Sequence, residues 1–169
     1  NPIEVMQDFT IPSGVSLRIN PGDNFDIYND FINEGTVHPN DGGGRFRGPG
    51  DAELRGSGVM TFRDLMSRKT GGGTLTVKVP VNVSSWLIID ANAQLILEAD
   101  ITVGAAGSVA RMQNNGTFTD NGFKVIVEGG GNYNIQGNTQ TVFSNIEITK
   151  NSGSLIFEQS ATILQNLVV

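Results

Sequence analysis

The chain has 169 residues, enough for one domain, and carries a net charge of −6. Glycine (22), asparagine (17) and proline (6) are abundant, and all three weaken helix interiors, so long helices are excluded. The missing Gly-X-Y period excludes collagen, the absence of cysteine excludes disulfides and thiolate metal sites, and the negative charge argues against nucleic acid or anionic membrane as main partner.

Short alternating segments follow one another along the chain. Val15-x-Leu17-x-Ile19 is stopped by Asn20-Pro21-Gly22, and Phe25-x-Ile27 follows. Leu75-x-Val77-x-Val79 runs to Pro80, and Val81-x-Val83 leads into Trp86-Leu87-Ile88-Ile89. That is the longest apolar run, far short of the ~20 residues of a membrane-spanning helix. Ile101-x-Val103, Val125-x-Val127, Tyr133-x-Ile135, Ile146-x-Ile148 and Leu155-x-Phe157 complete the series. Alternation at period two turns one face inward. The expected core holds Val15, Leu17, Ile19, Phe25, Ile27, Leu75, Val77, Leu95, Leu97, Val125, Val127, Ile135, Phe143, Ile146, Ile148, Leu155 and Phe157.

Strands this short, with few residues between them, suit coils of about 20 residues stacked on one another. The expected fold is all-β: a single-stranded parallel β-helix, or solenoid, of about seven or eight coils, continuous over 1–169. A β-sandwich is the competing architecture, and it would place Phe62 and Phe143 in separate cores.

An internal repeat supports the solenoid. Asn33-Glu34-Gly35-Thr36-Val37 matches Asn114-Asn115-Gly116-Thr117-Phe118 at an offset of 81. The same offset pairs Leu54 with Ile135, Gly56 with Gly137, Phe62 with Phe143, Leu65 with Ile146 and Lys69 with Lys150. An offset of 80 then pairs Leu75 with Leu155, Val83 with Ile163 and Leu87 with Leu167, and one of 78 pairs Leu17 with Leu95. The chain reads as two divergent units, about 9–86 and 87–169. It opens at Asn1-Pro2 and stops at Leu167-Val168-Val169 inside a strand-like pattern, as a segment of a longer chain would. Its uncapped ends imply further coils or end-to-end self-association.

The pattern Asn-x-Gly-Thr-hydrophobic, then Phe62-Arg63-Asp64-Leu65 or Phe143-Ser144-Asn145-Ile146, then Gly-x-Leu-x-hydrophobic, resembles the parallel β-helix repeats of secreted and cell-surface adhesin-like proteins of Bacteroidetes-type bacteria. The resemblance implies a secreted or cell-surface module with structural or adhesive work, and a non-enzymatic role is expected because the repeat preserves scaffold residues while potential chemical positions diverge. The stretch Arg45 to Gly50 in the first unit departs from the pattern and interrupts a simple coil register. The runner-up function is a carbohydrate-binding or polysaccharide-degrading β-helix. The Asn-Thr-Asp, Asp-Asp and Gly-His-Gly strings of polygalacturonase-like enzymes are absent.

Little in the sequence carries catalysis. His38 is the sole histidine, so no Ser-His-Asp triad beyond it and no multi-histidine metal centre can form. The glycine clusters 42–44, 71–73 and 129–131 lack the Lys-Ser/Thr of a phosphate loop and read as coil corners. Asp51 with Glu53, and Asp90 with Asp100, are the carboxylate pairs a glycosidase would need. Structural calcium is the candidate cofactor, with Asp23, Asn24 and Asp26, near Asn20, or else Asn40 with Asp41, as hard oxygen ligands.

Charge is the most informative deviation. Between Arg45 and Lys69 six cations face three carboxylates, so that stretch is +3 and the remainder −9. Arg45, Arg47, Arg55, Arg63 and Arg68 are the candidate binding residues for an anionic surface polysaccharide or an acidic protein partner, because guanidinium forks match carboxylate and sulfate. No aromatic platform is evident, and Trp86 is expected to pack at the end of a core strand.

Overall fold

A computed structural model of the protein describes residues 3–20, 22–38, 42–104 and 110–169. Among these residues every regular element is a strand. In order they are β1 (Ile3–Val5), β2 (Phe9–Ile11), β3 (Ser16–Arg18), β4 (Asn24–Ile27), β5 (Phe31–Asn33), β6 (Thr36–His38), β7 (Gly43–Gly48), β8 (Ala52–Arg55), β9 (Val59–Lys69) and β10 (Thr74–Val77). The second half continues with β11 (Val81–Ile89), β12 (Gln94–Leu97), β13 (Ile101–Val103), β14 (Ala110–Asn114), β15 (Thr117–Thr119), β16 (Lys124–Val127), β17 (Tyr133–Gln136), β18 (Thr141–Ile148), β19 (Leu155–Phe157) and β20 (Ala161–Val168).

All ladders between described strands are parallel, and they define a three-sided β-solenoid of about seven turns. On the first face Ile3, Phe25, Gly44, Leu65, Leu87, Met112, Ile135 and Phe157 stand one above another. Seven steps over those 154 residues make 22 residues per turn. The second face is built from β2, β5, β8, β10, β12 and β15, and the first halves of β18 and β20 continue it. The third face is built from β3, β6, the first halves of β9 and β11, then β13, β16 and the second halves of β18 and β20.

One apolar core fills the prism, and Phe62 and Phe143 both belong to it, which removes the sandwich alternative. Near the first coils Phe9, Phe25, Phe31 and Phe62 pack mostly edge-to-face, with ring centroids 5.0–6.4 Å apart. The expected core needs correction at its margins. Val15 and Phe157 are exposed, and Leu17, Ile148 and Leu155 are half-buried. Most of these positions lie in terminal coils, which have a neighbour on one side only. The Arg45–Gly50 stretch does not disturb the register: β7 pairs with β4 and β9 without a shift.

The matches at an offset of 81 have a geometric meaning. At 22 residues per turn they lie about three and two-thirds turns apart. Asn33 and Leu54 sit on the second face, whereas Asn114 and Ile135 sit on the first. Leu65 on the first face matches Ile146 on the third. The bends follow suit, with a register irregularity at Phe62/Asp64 in β9 and at Phe143/Asn145 in β18. Each matched segment is therefore rotated by one side of the prism.

The corners show why those matches are turn residues. Asn33 is buried; its Oδ1 accepts the Gly35 N–H (3.0 Å) and its Nδ2 donates to the Val59 carbonyl (2.9 Å). Asn114 repeats this, accepting from Gly116 N–H (3.2 Å) and donating to Thr141 Oγ1 (3.1 Å). Gly56 (φ +122°) and Gly137 (φ +133°) lie over the carbonyls of Asn33 and Asn114, where a Cβ would collide with backbone. Lys69, matched by Lys150, is no surface charge: it is 1% exposed and donates to the carbonyls of Tyr28 and Arg47, both 2.9 Å. Burial pushes its ammonium below the ordinary value, with Asp51 and Asp30 opposing.

Acidic side chains clamp successive coils. Asp30 accepts the Glu53 N–H (2.9 Å), Asp51 that of Thr74 (2.9 Å) and Asp100 that of Lys124 (2.8 Å). Gly56→Ala or Gly137→Ala should each destabilise the fold by at least ~1–3 kcal/mol, from left-handed strain plus the backbone collision. Urea unfolding midpoints would measure this, and wild-type midpoints in both would refute the corner argument.

Candidate functional site

The first face presents outward the side chains that alternate with its core residues. One row runs Asn24, Gly43, Asp64, Trp86, Arg111 and Asn134, through β4, β7, β9, β11, β14 and β17. The adjacent row runs Asp26, Arg45, Met66, Ile88 and Gln113, and beyond it Arg47 pairs with Arg68. Arg63 stands at the bend where β9 passes from the third face to the first. Met66 and Ile88 point away from the core yet are only 6% exposed.

The arginines of this face divide into two kinds. Asp26 is fully buried, and its two oxygens accept from Arg45 Nε and from Arg47 Nη1 (2.8 Å). Burial opposes its charged form, but the hydrogen bonds and charges of Arg45 and Arg47 outweigh this and hold its carboxyl below the ordinary range. Arg45 and Arg47 are thus structural counter-ions. Arg63 and Arg68 make looser pairs, 3.8 Å to Asp64 and 3.5 Å to Asp90. Arg111 makes no ion pair among the described residues; its guanidinium lies over the Trp86 ring, 4.1 Å from the centroid.

Asp64 sits beneath these cations, accepting the Trp86 backbone N–H at 3.1 Å. Burial pushes its carboxyl above the ordinary value, with Arg63, that N–H and Arg111 opposing. Between Asn24 and Asp64 the row has a gap at Gly43, opening a groove of about 260 Å³ bordered by Asp23, Arg45, Arg63, Arg68 and Trp86. Two wider grooves, about 410 Å³ beside Val59 and Pro80 and about 600 Å³ beside Asn92 and Thr117, are lined by no charged side chain.

Four of the five arginines singled out in the sequence, Arg45, Arg47, Arg63 and Arg68, therefore share this face. Arg55 does not: it projects from β8 on the second face and pairs with Asp30 (3.2 Å) and Glu53 (3.5 Å). Trp86 does not end a core strand but faces outward, half-buried, amid the arginines. Arg111 was not singled out. A 22-residue turn relates Asp64 to Trp86, but the next turn takes 25 residues to Arg111, which hides the row in the sequence.

Of the calcium ligands, Asp23 and Asn24 border the groove, while Asp26 is taken up by two guanidinium groups. Asn40 and Asp41 lie outside the described residues. Among the described residues no three acidic or histidine side chains gather as a metal site. The carboxylate pairs do not face a common cleft. Asp51 and Glu53 bind Thr74 and Lys78, and Asp90 and Asp100 stand at opposite ends of β12. No family model, no curated protein and no solved structure matches the chain.

Two outcomes follow from the Asp26 pair. Removing both partners in Arg45→Ser/Arg47→Ser strands a buried carboxylate and should cost about 3–5 kcal/mol in urea unfolding. Because the folded pKa of Asp26 is depressed, its stabilisation is complete above the unfolded value of about 3.9 and is lost as pH falls through the folded value. The stability difference between wild type and Asp26→Asn should therefore shrink below about pH 4. A difference that stays constant from pH 7 to pH 2 would show that the pair is not ionic.

Proposed function

We propose that the chain is a non-enzymatic structural and adhesive module of an extracellular or cell-surface protein, whose first face grips an anionic surface polysaccharide. The carrying observation is the cluster of Arg63, Arg68 and Arg111 around Trp86 on one flat face of a body with net charge −6. Arg68 and Arg111 each keep a buried Nε without a hydrogen-bond partner, so a polymer carboxylate or sulfate at about 2.7–2.9 Å would supply one. A straight ladder of coils matches an extended polymer, with arginines recurring along the axis. The extracellular setting is carried by the resemblance to adhesin-like repeats; the absence of cysteine is compatible with it, since repetition can supply the stability that small secreted domains draw from disulfides.

The degrading alternative finds less support. A glycosidase needs two carboxylates about 5–10 Å apart flanking one bond, whereas Asp30, Asp51 and Asp100 are engaged in clamping one coil to the next. Polygalacturonate and heparin, immobilised and probed at two salt concentrations, test the reading. Binding should weaken at higher salt, and Arg68→Ser should weaken it about tenfold. The Arg68–Asp90 pair is exposed and contributes at most about 1 kcal/mol, so the melting temperature should hardly move. Salt-insensitive binding, unchanged affinity in the variant, binding to acidic proteins alone, or cleavage of the polymer would each overturn the proposal.

A further inference from the structure

The groove of about 600 Å³ lies at the corner where the first face turns into the second, and the arginine cluster has no part in it. Four successive coils form its walls. They contribute Gly72 between β9 and β10, Asn92 and Gln94 where β12 begins, Asn115 and Thr117 where β15 begins, and Thr139 ahead of β18. Three coil steps make the groove about 14 Å long, parallel to the solenoid axis. It is open at Gly72, whose φ of +84° favours glycine. A Cβ there would meet no heavy atom within 4 Å outside its chain neighbours.

Two amides in the groove are fixed by the fold in opposite senses. Gln94 Nε2 donates to the Gly72 carbonyl (2.9 Å), which leaves Oε1 as a free acceptor. Asn115 Oδ1 accepts the Asn138 N–H (3.0 Å), which leaves Nδ2 as a free donor. They stand in adjacent coils, because Gln94 pairs in register with Thr117. Among the described residues the side chains of Asn92, Thr117 and Thr139 make no hydrogen bond, and no charged side chain lines the groove. An anion would therefore find no cation here, and an apolar ligand would bury the amides unpaired. A hydroxyl both donates and accepts, so an uncharged molecule dense in hydroxyls serves Gln94 Oε1 and Asn115 Nδ2 together. Both amides are already held, so binding immobilises few side chains. The volume falls within the roughly 300–1,000 Å³ of small-molecule sites, which suits a short oligosaccharide lying along the axis.

We propose that this corner groove is a second binding site, taking a neutral oligosaccharide of hexose units, with Gln94 and Asn115 as its fixed acceptor and donor. It does not rest on the reading of the first face as a surface for anionic polymers. The two sites lie side by side, since Arg111 belongs to β14 and Asn115 follows the last residue of that strand. One coil thus presents a guanidinium to a charged chain and an amide to an uncharged one.

The test follows the side-chain amide resonances of Gln94 and Asn115 by NMR while maltotriose, cellotriose, mannotriose, trigalacturonate, glycerol and triglycine are added in turn. At least one neutral trisaccharide should shift both resonances saturably, and the last three probes should leave them within a tenth of that shift. Gln94→Ala and Asn115→Ala, each read on the amide that remains, should weaken binding about tenfold, as loss of one hydrogen bond does. Arg68→Ser should leave it unchanged. If no neutral trisaccharide moves the two amides, or if glycerol, triglycine or trigalacturonate moves them equally, the assignment is wrong. Wild-type affinity in both alanine variants would overturn it as well, because the sugar would then sit elsewhere. Polygalacturonate binding that responds to Arg68→Ser, with no neutral sugar bound, leaves the arginine face standing and removes the groove. Neutral sugar held by Gln94 and Asn115 in a protein that does not bind polygalacturonate does the reverse.

Discussion

A parallel solenoid must hand every backbone N–H of one coil to an acceptor in the coil beside it, about 4.8 Å away. Along the strands the ladders do this by themselves. At the corners the chain turns away from its neighbour, and a buried unpaired amide would cost about 1–3 kcal/mol. The sequence answers with side chains. Asn33 and Asn114 close their corners from inside, Lys69 binds the carbonyls of Tyr28 and Arg47, and Asp30, Asp51 and Asp100 receive amides of the following coil. Much of the acidic character of the chain is therefore structural.

The same requirement accounts for the rotated repeat. The three sides of the prism present the core with similar widths of backbone, so a segment that closes one corner can close another. Asn33 and Asn114 perform the same bonding on different faces, as do Gly56 and Gly137. Outward side chains face no such constraint. Arg55 is matched by Gln136 and Arg63 by Ser144 at the offset of 81, so chemistry diverged where the scaffold did not.

On the first face, structural and available charge lie side by side. Arg45 and Arg47 are committed to the buried Asp26, whereas Arg68 and Arg111 each leave a buried Nε without a hydrogen-bond partner. A composition count treats these arginines alike. Burial of Asp26 ties its two arginines, because a buried carboxylate holds its counter-ions far more firmly than the exposed Asp90 holds Arg68.

Much of the architecture was legible in the chain itself. Alternation at period two is a local property, so Leu75, Val77, Leu95 and Leu97 could be assigned to the core from sequence, and all four are fully buried. The Asn-x-Gly-Thr matches likewise announced repeated corners. The composition of the outward rows was decided only in three dimensions. Successive turns on the first face take 19 residues from Phe25 to Gly44 but 25 from Leu87 to Met112. Such differences accumulate, and a slip of one residue sends a side chain to the opposite side of the sheet. Trp86 was thus misplaced and Arg111 went unseen, while Arg55, close to the others in sequence, was carried to another face. Core positions follow from the nearest neighbours in the chain; the binding face depends on the summed lengths of every intervening turn.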